Sequence, residues 1–562
     1  MSSSNPAKQK YDPILPGPGD WPVVQLSKNR KRFIEEVRDE TLQRIKKMRN
    51  SKSSLIEELE LTLYKERLRI TQNPWKVDPP DEFVFWDEVK KQLVDITGNS
   101  RKKQKSEEEI LAEIITRYAE EVAGNFKKSS YQLARRLVTF WFARLLNASR
   151  IKRFGSFWSK ELTLQDKINL TGEMEHVRKL ARLGTIVMVP THFSNLDSIT
   201  IGYAIHTLGL PPFIYGAGLN LFNIEVFAYF MNSLGAYKVD RRKKNLIYLE
   251  TLKVYSTLAL LKGCHSLFFP GGTRSRSGKL ENRLKLGLLG TALDAQRMSI
   301  ENSKPGKEKK LFIVPVVLNY NFVLEAPVLI NQYLKQKGQE RYYVENDEYS
   351  TSYKIIKFLF KFFTKGSDIS LSIGRAMDLF GNEVDDEGKS IDKFGRKVDI
   401  REYFMANGKV SNNPQREAEY TRMLSEKIVK EYHRINRVFS SHLVAYIAFQ
   451  VFMKQYPRMD LYNILRLPPE EQFIDYAYFK SIFMKSRDEI FRRKKSGKID
   501  TAPHLEGDPD QVISFGIENV GMYHAKRVLY KNKNGDIATE DLNTLYYYHN
   551  RMSGYGLEEF IR

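Results

Sequence analysis

Thr185-Ile186-Val187-Met188-Val189-Pro190 is an uncharged run rich in β-branched residues, with the length and composition of a strand buried on both faces of a sheet. Similar runs lie at 213–215, 265–269, 311–318 and 368–373, with helical stretches between them. That alternation predicts an α/β fold: a mostly parallel central sheet flanked by helices. Before it, residues 27–70 are dense in charge but carry Phe33, Val37, Leu42 and Ile45 at helical spacing, which predicts a long solvated helix. Residues 100–109 read as a loop, and 110–123 and 131–146 resume the 3.6-residue period. After Asp378 a stretch rich in Gly, Asp and Lys reads as a loop, followed by helices over 413–438 and 442–456 and a mixed basic tail. No internal repeat is evident. The expected organisation is a helical amino-terminal domain over 1–150, an α/β domain over 151–380 and a helical carboxy-terminal extension over 381–562.

With 42% hydrophobic and 12% aromatic residues, the 562-residue chain has enough apolar material for a substantial core, which excludes wholesale disorder. Lys plus Arg number 90 against 68 Asp plus Glu, a net charge of +22 that favours anionic partners: phosphorylated substrates, nucleic acid or lipid headgroups. The single cysteine, Cys264, can form neither an intramolecular disulfide nor a cysteine metal cluster, which fits a reducing compartment. Residues 1–16 have no apolar run behind a basic head, so neither a secretory signal nor a signal anchor is expected. The longest stretch free of Asp, Glu, Lys and Arg, 198–224, contains Pro211-Pro212 and several glycines and is not read as a membrane span.

Four local features carry chemistry. Directly after the first strand, His192 and Asp197 stand in a His-x4-Asp spacing where an α/β sheet gathers its sites. An imidazole can take a proton from a hydroxyl near neutral pH, and a carboxylate on its other nitrogen fixes the tautomer. In isolation the spacing reads more readily as a surface histidine and a helix-capping aspartate. The second feature, Phe268-Phe269-Pro270-Gly271-Gly272-Thr273-Arg274-Ser275-Arg276-Ser277-Gly278-Lys279, ends a strand in glycines and then interleaves three cations with hydroxyls. Glycines let backbone N–H groups approach an anion, and arginine forks match phosphate oxygens. Without stacking aromatics between the cations, a nucleic-acid partner is not expected. Third, Asp240-Arg241-Arg242-Lys243-Lys244 sets consecutive cations after a small strand-like run. Fourth, Val314-Pro315-Val316 puts a proline inside a strand, which ordinarily marks an edge or a bulge.

In their order along the chain the four features resemble the sequence blocks of the glycerolipid acyltransferases, with further matches to the glycerol-3-phosphate and dihydroxyacetone-phosphate branch at Leu219-Asn220, Lys285 to Leu289, Tyr320, Glu325, Glu419-Tyr420 and His442 to Ala445. The resemblance implies a glycerolipid acyltransferase-like fold. It also implies transfer of a fatty acyl group from acyl-CoA or acyl carrier protein to the sn-1 hydroxyl of glycerol 3-phosphate, with the thioester as co-substrate and no metal or other cofactor. His192 and Asp197 would be catalytic; Arg241, Gly272, Thr273, Arg274, Ser275, Arg276 and Lys279 would bind the acceptor phosphate. The alternatives are acylation of 1-acylglycerol 3-phosphate, which the Asp240-Arg241 pair resembles more closely, and an inactive lipid-binding scaffold of the same fold. Where the family usually has a glutamate before Gly-Thr-Arg this chain has Gly271, so that carboxylate is absent or supplied from elsewhere, with Glu281 the candidate. Cys264, ahead of a buried strand, reads as an inert core thiol.

An enzyme of this kind delivers a product that belongs in a bilayer. Residues 354–365, KIIKFLFKFFTK, gather four lysines within a helical stripe of about 80° and leave the rest apolar except Thr364. That pattern predicts an in-plane helix on an anionic membrane surface, and a peripheral protein on the cytoplasmic face.

Overall fold

The computed structural model describes residues 11–49, 55–75, 78–97, 106–131, 133, 168–219, 235–337 and 369–561. The expected 354–365 helix and nearly all of the 131–146 helix lie outside them, as does Asn220.

A seven-stranded sheet organises the α/β region. Its strands are β1 (Ile168–Gly172), β2 (Gly184–Pro190), β3 (Ile214–Gly218), β4 (Ala236–Val239), β5 (Ser266–Leu267), β6 (Lys310–Tyr320) and β7 (Ile369–Ile373). The spatial order is β1-β7-β6-β2-β5-β3-β4. Strands β2 to β6 run parallel, β7 is antiparallel to β6, and β1 pairs parallel with β7. The mostly parallel sheet flanked by helices is therefore as the sequence predicts. Strand β2 lies near the middle, between β6 and β5, and is buried from Thr185 to Pro190. Its unbroken apolar run follows from being covered on both faces. Edge strand β1 carries no such run and is not legible in the sequence.

One local expectation is narrowed and two are corrected. Pro315 lies in β6, a central strand and not an edge, with Val189 of β2 as its register partner. The missing N–H is tolerated because pairing on the other side is interrupted there. Strand β7 stops at Ile373 opposite Val316, and the next bridge joins Ile313 to Met377. Secondly, residues 27–70 do not form one solvated helix. They contribute to Arg30–Arg49 and Leu55–Gln72, and Phe33, Val37 and Ile45 are fully buried, in a core shared with the sheet edge at Ile214 and Tyr237 and with helix Leu246–Leu261. Thirdly, the stretch after Asp378 is a seven-residue repeat. Asp378, Asp385 and Asp392 each accept backbone N–H groups from two and four residues on, a glycine at positive φ follows at 381, 388 and 395, and the short strands after each turn pair into a three-stranded sheet. The signal is an Asp-x-x-Gly turn recurring at a fixed period.

Helices Pro414–Ile435 and Ser440–Gln455 form as expected. The main hydrophobic core runs continuously from Ile168 on β1 to Ile561, so the carboxy-terminal helices pack onto the same apolar body as the sheet. His442, fully buried and stacked on Phe439, donates from Nε2 to the Tyr320 carbonyl, and burial pushes its pKa down to about 3, so it serves as a neutral structural donor. Among the described residues no helix is long and apolar enough to cross a membrane. The charge-free stretch from 198 is divided between helix Asp197–Thr207 and strand β3.

Candidate active site

The carboxyl ends of the parallel strands collect the candidate residues, as expected of an α/β sheet. His192 follows β2, Arg241 follows β4, the glycine turn follows β5, and Tyr320 closes β6. Asp197 is the first residue of helix Asp197–Thr207 and is completely buried. Its Oδ2 accepts from His192 Nδ1 at 2.8 Å and from the Phe193 and Ser194 backbone N–H groups at 2.6 and 2.9 Å, while Tyr320 Oη donates to Oδ1 at 2.6 Å. Burial, with the neighbouring Asp197 charge, holds the Tyr320 phenol well above its ordinary pKa, so it remains a donor. A carboxylate held by that many donors keeps the proton of a neutral imidazole on Nδ1 and turns the Nε2 lone pair outward. His192 Nε2 makes no hydrogen bond to the described residues; the ring stacks on Phe269 at 4.1 Å between centroids.

The glycine turn is joined to this histidine directly. Ser275 donates its backbone N–H to the His192 carbonyl at 2.7 Å, and its Oγ donates to the Lys279 carbonyl. Glu281 Oε1 accepts the His192 backbone N–H at 2.8 Å, so the turn and the chain just after it hold both sides of the His192 main chain. Glu325 is a second brace: its carboxylate accepts from the Asn195 N–H, from Ser194 Oγ and from Arg274 Nη1 at 3.2 Å. Gly272 adopts φ +77°, and the Lys285 side chain lies across the space a Cβ would take, 2.6–2.7 Å away. Lys285 is in turn close enough to Arg241 for the two charges to repel, and burial together with Arg241 lowers the Lys285 pKa. Gly272, Arg241 and Lys285 thus meet at one place, with Thr273 exposed at the tip of the turn.

The basic run after β4 does not act as one patch. Arg241 is exposed, whereas Arg242 is paired with Asp78 and Asp240 and lies over the Trp75 ring, and buried Lys243 is paired with Glu121 and Glu82. Asp240 and carboxylates of the amino-terminal region, Asp78, Glu82 and Glu121, neutralise those two cations.

The carboxy-terminal segment reaches the site as well. Arg551 is fully buried: its guanidinium donates to the Leu318 carbonyl at 2.6 Å and to Asn319 Oδ1, and stands 4.0 Å over the Phe193 ring. Burial pushes its pKa down to about 10 against the attraction of Glu281 and Asp197. Asn550 Nδ2 donates to the Ser277 carbonyl at 2.9 Å, and Gly278, at φ +82°, lies hard against the Tyr547 carbonyl oxygen. An alanine at 278 would combine a strained φ with a backbone clash. Gly278→Ala is therefore expected to lower stability by about 2 kcal/mol or more; a urea midpoint within error of the parent protein would refute this.

Sequence reasoning assigned no role to Tyr320, Glu325, Phe269 or Lys285, although all lie in quoted stretches, and did not point to Arg551 at all. Among the described residues no group of three or more His, Cys, Asp or Glu side chains is placed to hold a metal ion.

Residues 167–319 match the family model described as Acyltransferase. That span contains His192, Asp197, Arg241 and the whole glycine turn, and ends one residue before Tyr320. The chain is also similar to proteins named glycerol-3-phosphate acyltransferase. The relative from Pseudoalteromonas atlantica is 26% identical over 249 residues, 44% of this chain and 26% of the relative. That from Pseudoalteromonas translucida is 29% identical over 218 residues, 38% and 23%. That from Aeromonas hydrophila is 31% identical over 226 residues, 40% and 24%. The similarity spans about a quarter of each relative's length.

Proposed function

We propose that this protein transfers a fatty acyl group from a thioester, acyl-CoA or acyl carrier protein, to the sn-1 hydroxyl of glycerol 3-phosphate. The observation that carries the reading is the joining of an Asp197-oriented imidazole to an arginine-bearing glycine turn, through the Ser275 to His192 hydrogen bond. The relatives named for that activity, and the Acyltransferase match over the same residues, support it.

In this reading Arg274, Arg276, Arg241 and Lys279 hold the acceptor phosphate with the Gly272-Thr273-Ser275 backbone, which brings a hydroxyl to His192 Nε2. Nε2 takes the hydroxyl proton as the oxygen attacks the thioester carbonyl carbon, and Asp197 stabilises the imidazolium. When the tetrahedral intermediate collapses, the carbon–sulfur bond breaks and the thiolate recovers the proton from Nε2. Cys264 does not suit the alternative of an acyl-enzyme: it is buried, and burial pushes its pKa up to about 12. The +22 net charge supports a location at the anionic cytoplasmic face of a membrane, where the acylated product would be released.

Thiol release from palmitoyl-CoA tests the proposal, with glycerol 3-phosphate, 1-acylglycerol 3-phosphate and dihydroxyacetone phosphate offered separately. Glycerol 3-phosphate should give the highest kcat/KM. Turnover confined to 1-acylglycerol 3-phosphate would move the protein to the second acylation step, and no turnover with any acceptor would make it a binding scaffold. Arg276→Ala is expected to raise the KM for glycerol 3-phosphate by about 10- to 100-fold, the worth of one charge-assisted phosphate contact, with a smaller change in kcat. An unchanged KM would remove Arg276 from the phosphate site.

A further inference from the structure

Glu281 stands where a side chain at position 271 would have to go. A Cβ built on Gly271 would lie 3.0 Å from Glu281 Cγ and 3.1 Å from its Oε1, a tight contact that the Glu281 side chain would have to ease by a few tenths of an ångström. Gly271 differs in this from its neighbour. Gly272 needs glycine for its backbone, at φ +77°, whereas Gly271 is not among the positive-φ residues and any residue could adopt its conformation. What a side chain at 271 would meet is Glu281.

The chain returns to this place by its own hydrogen bonds. Gly272 N–H closes the turn on the Phe269 carbonyl, and Lys285 N–H bonds back to the Pro270 carbonyl at 2.7 Å, which folds residues 279–285 over the two glycines. The carboxylate so delivered is used on one side: Oε1 accepts the His192 N–H at 2.8 Å. Its Oε2 is shut off from solvent with no hydrogen-bond partner among the described residues. Burial pushes the Glu281 pKa up to about 7, against the pull of the His192 N–H and of Arg551. A buried carboxylate with an unpaired oxygen is costly, and such a cost persists where the group is needed.

We propose that Glu281 is the positioning carboxylate of this site and that Gly271 is the opening that admits it, the two forming one coupled pair. Glu281 touches no substrate; it acts through His192, fixing the peptide N–H on one side while Ser275 fixes the carbonyl on the other. A side chain at 271 would start in tight contact with Glu281, so the two positions compete for the same space. The inference rests on the acyl-transfer reading for its kinetic consequences, though not for the packing itself.

A double-mutant cycle on the full chain tests it. Glu281→Ala is expected to lower kcat by about 30- to 100-fold with the KM for glycerol 3-phosphate within about threefold, because a slightly misplaced base costs that much. Glu281→Gln, which keeps an acceptor oxygen for the His192 N–H, should stay within about tenfold of the parent kcat. Gly271→Glu alone should be at least as impaired as Glu281→Ala. The double variant Gly271→Glu/Glu281→Ala should recover to within about tenfold of the parent, well above the product of the two single losses. Glu281→Ala with parental kcat, or a double variant no better than that product, overturns the proposal. Should the parent protein transfer no acyl group at all, the activity reading fails, and urea midpoints of the four proteins decide the pairing: a double variant more stable than the single changes add up to supports it, and additive changes overturn it.

Discussion

Replacing His192 by alanine is expected to lower kcat for acyl transfer by about 10³- to 10⁴-fold while leaving the KM for glycerol 3-phosphate within about threefold. The size follows from what is lost: a positioned general base is worth about 10²- to 10⁴-fold, and this one is oriented by a buried carboxylate. The separation of kcat from KM follows from geometry. The cations proposed to hold the phosphate sit on the glycine turn and after β4, whereas the imidazole sits after β2. Removing the ring also leaves the Ser275 and Glu281 bonds to the His192 main chain possible, since both engage backbone atoms. A residual rate within tenfold of the parent would exclude His192 as the base. Asp197→Asn should be worse for folding than His192→Ala, because an amide has one acceptor oxygen where Asp197 accepts from His192, Phe193, Ser194 and Tyr320.

The second large effect is on stability. Arg551→Ala should destabilise the protein by about 3–5 kcal/mol, the usual cost of removing one partner from a buried charged cluster. The guanidinium donates to the Leu318 carbonyl and to Asn319 at the end of β6, and both acceptors would be left buried without it. It also supplies the positive charge facing Glu281 and Asp197, so two carboxylates would lose a stabilising neighbour. The stacking over Phe193, in the loop between His192 and Asp197, adds a smaller cation–π contribution. Activity should fall together with stability, since that loop carries the site. The urea midpoint checks it: a loss below about 1 kcal/mol would mean that water or rearranged side chains satisfy the end of β6 without Arg551.

Local pattern made a large part of this molecule legible. A strand buried on both faces must be apolar throughout, so Thr185 to Pro190 announced the middle of the sheet without reference to anything distant. Glycines and arginines after a strand end announced a tight turn bearing cations, and a histidine five residues before an aspartate announced an orienting pair, because both arrangements close within a single loop. The Asp-x-x-Gly repeat was also present in the sequence and could have been found by counting periods. Which of the two settings expected of Pro315, edge or bulge, applies depends on where the neighbouring strand breaks its pairing, which is a property of β7 and not of β6.

By itself, then, the sequence determined the α/β class, the position of the central strand and the two loops on which acyl-transfer chemistry would rest. Only the tertiary structure decided which of the cations after β4 are buried in ion pairs and what supports the histidine. Arg242 and Lys243 are indistinguishable from Arg241 until Asp78, Glu82 and Glu121 fold against them. Glu281 becomes a neighbour of Gly271 only because the loop doubles back, and Arg551 reaches Phe193 from more than three hundred residues away along the chain. Hydrogen bonds and charge pairing act over a few ångströms of space, so their partners are set by how the chain returns on itself, and no spacing along the sequence encodes that return.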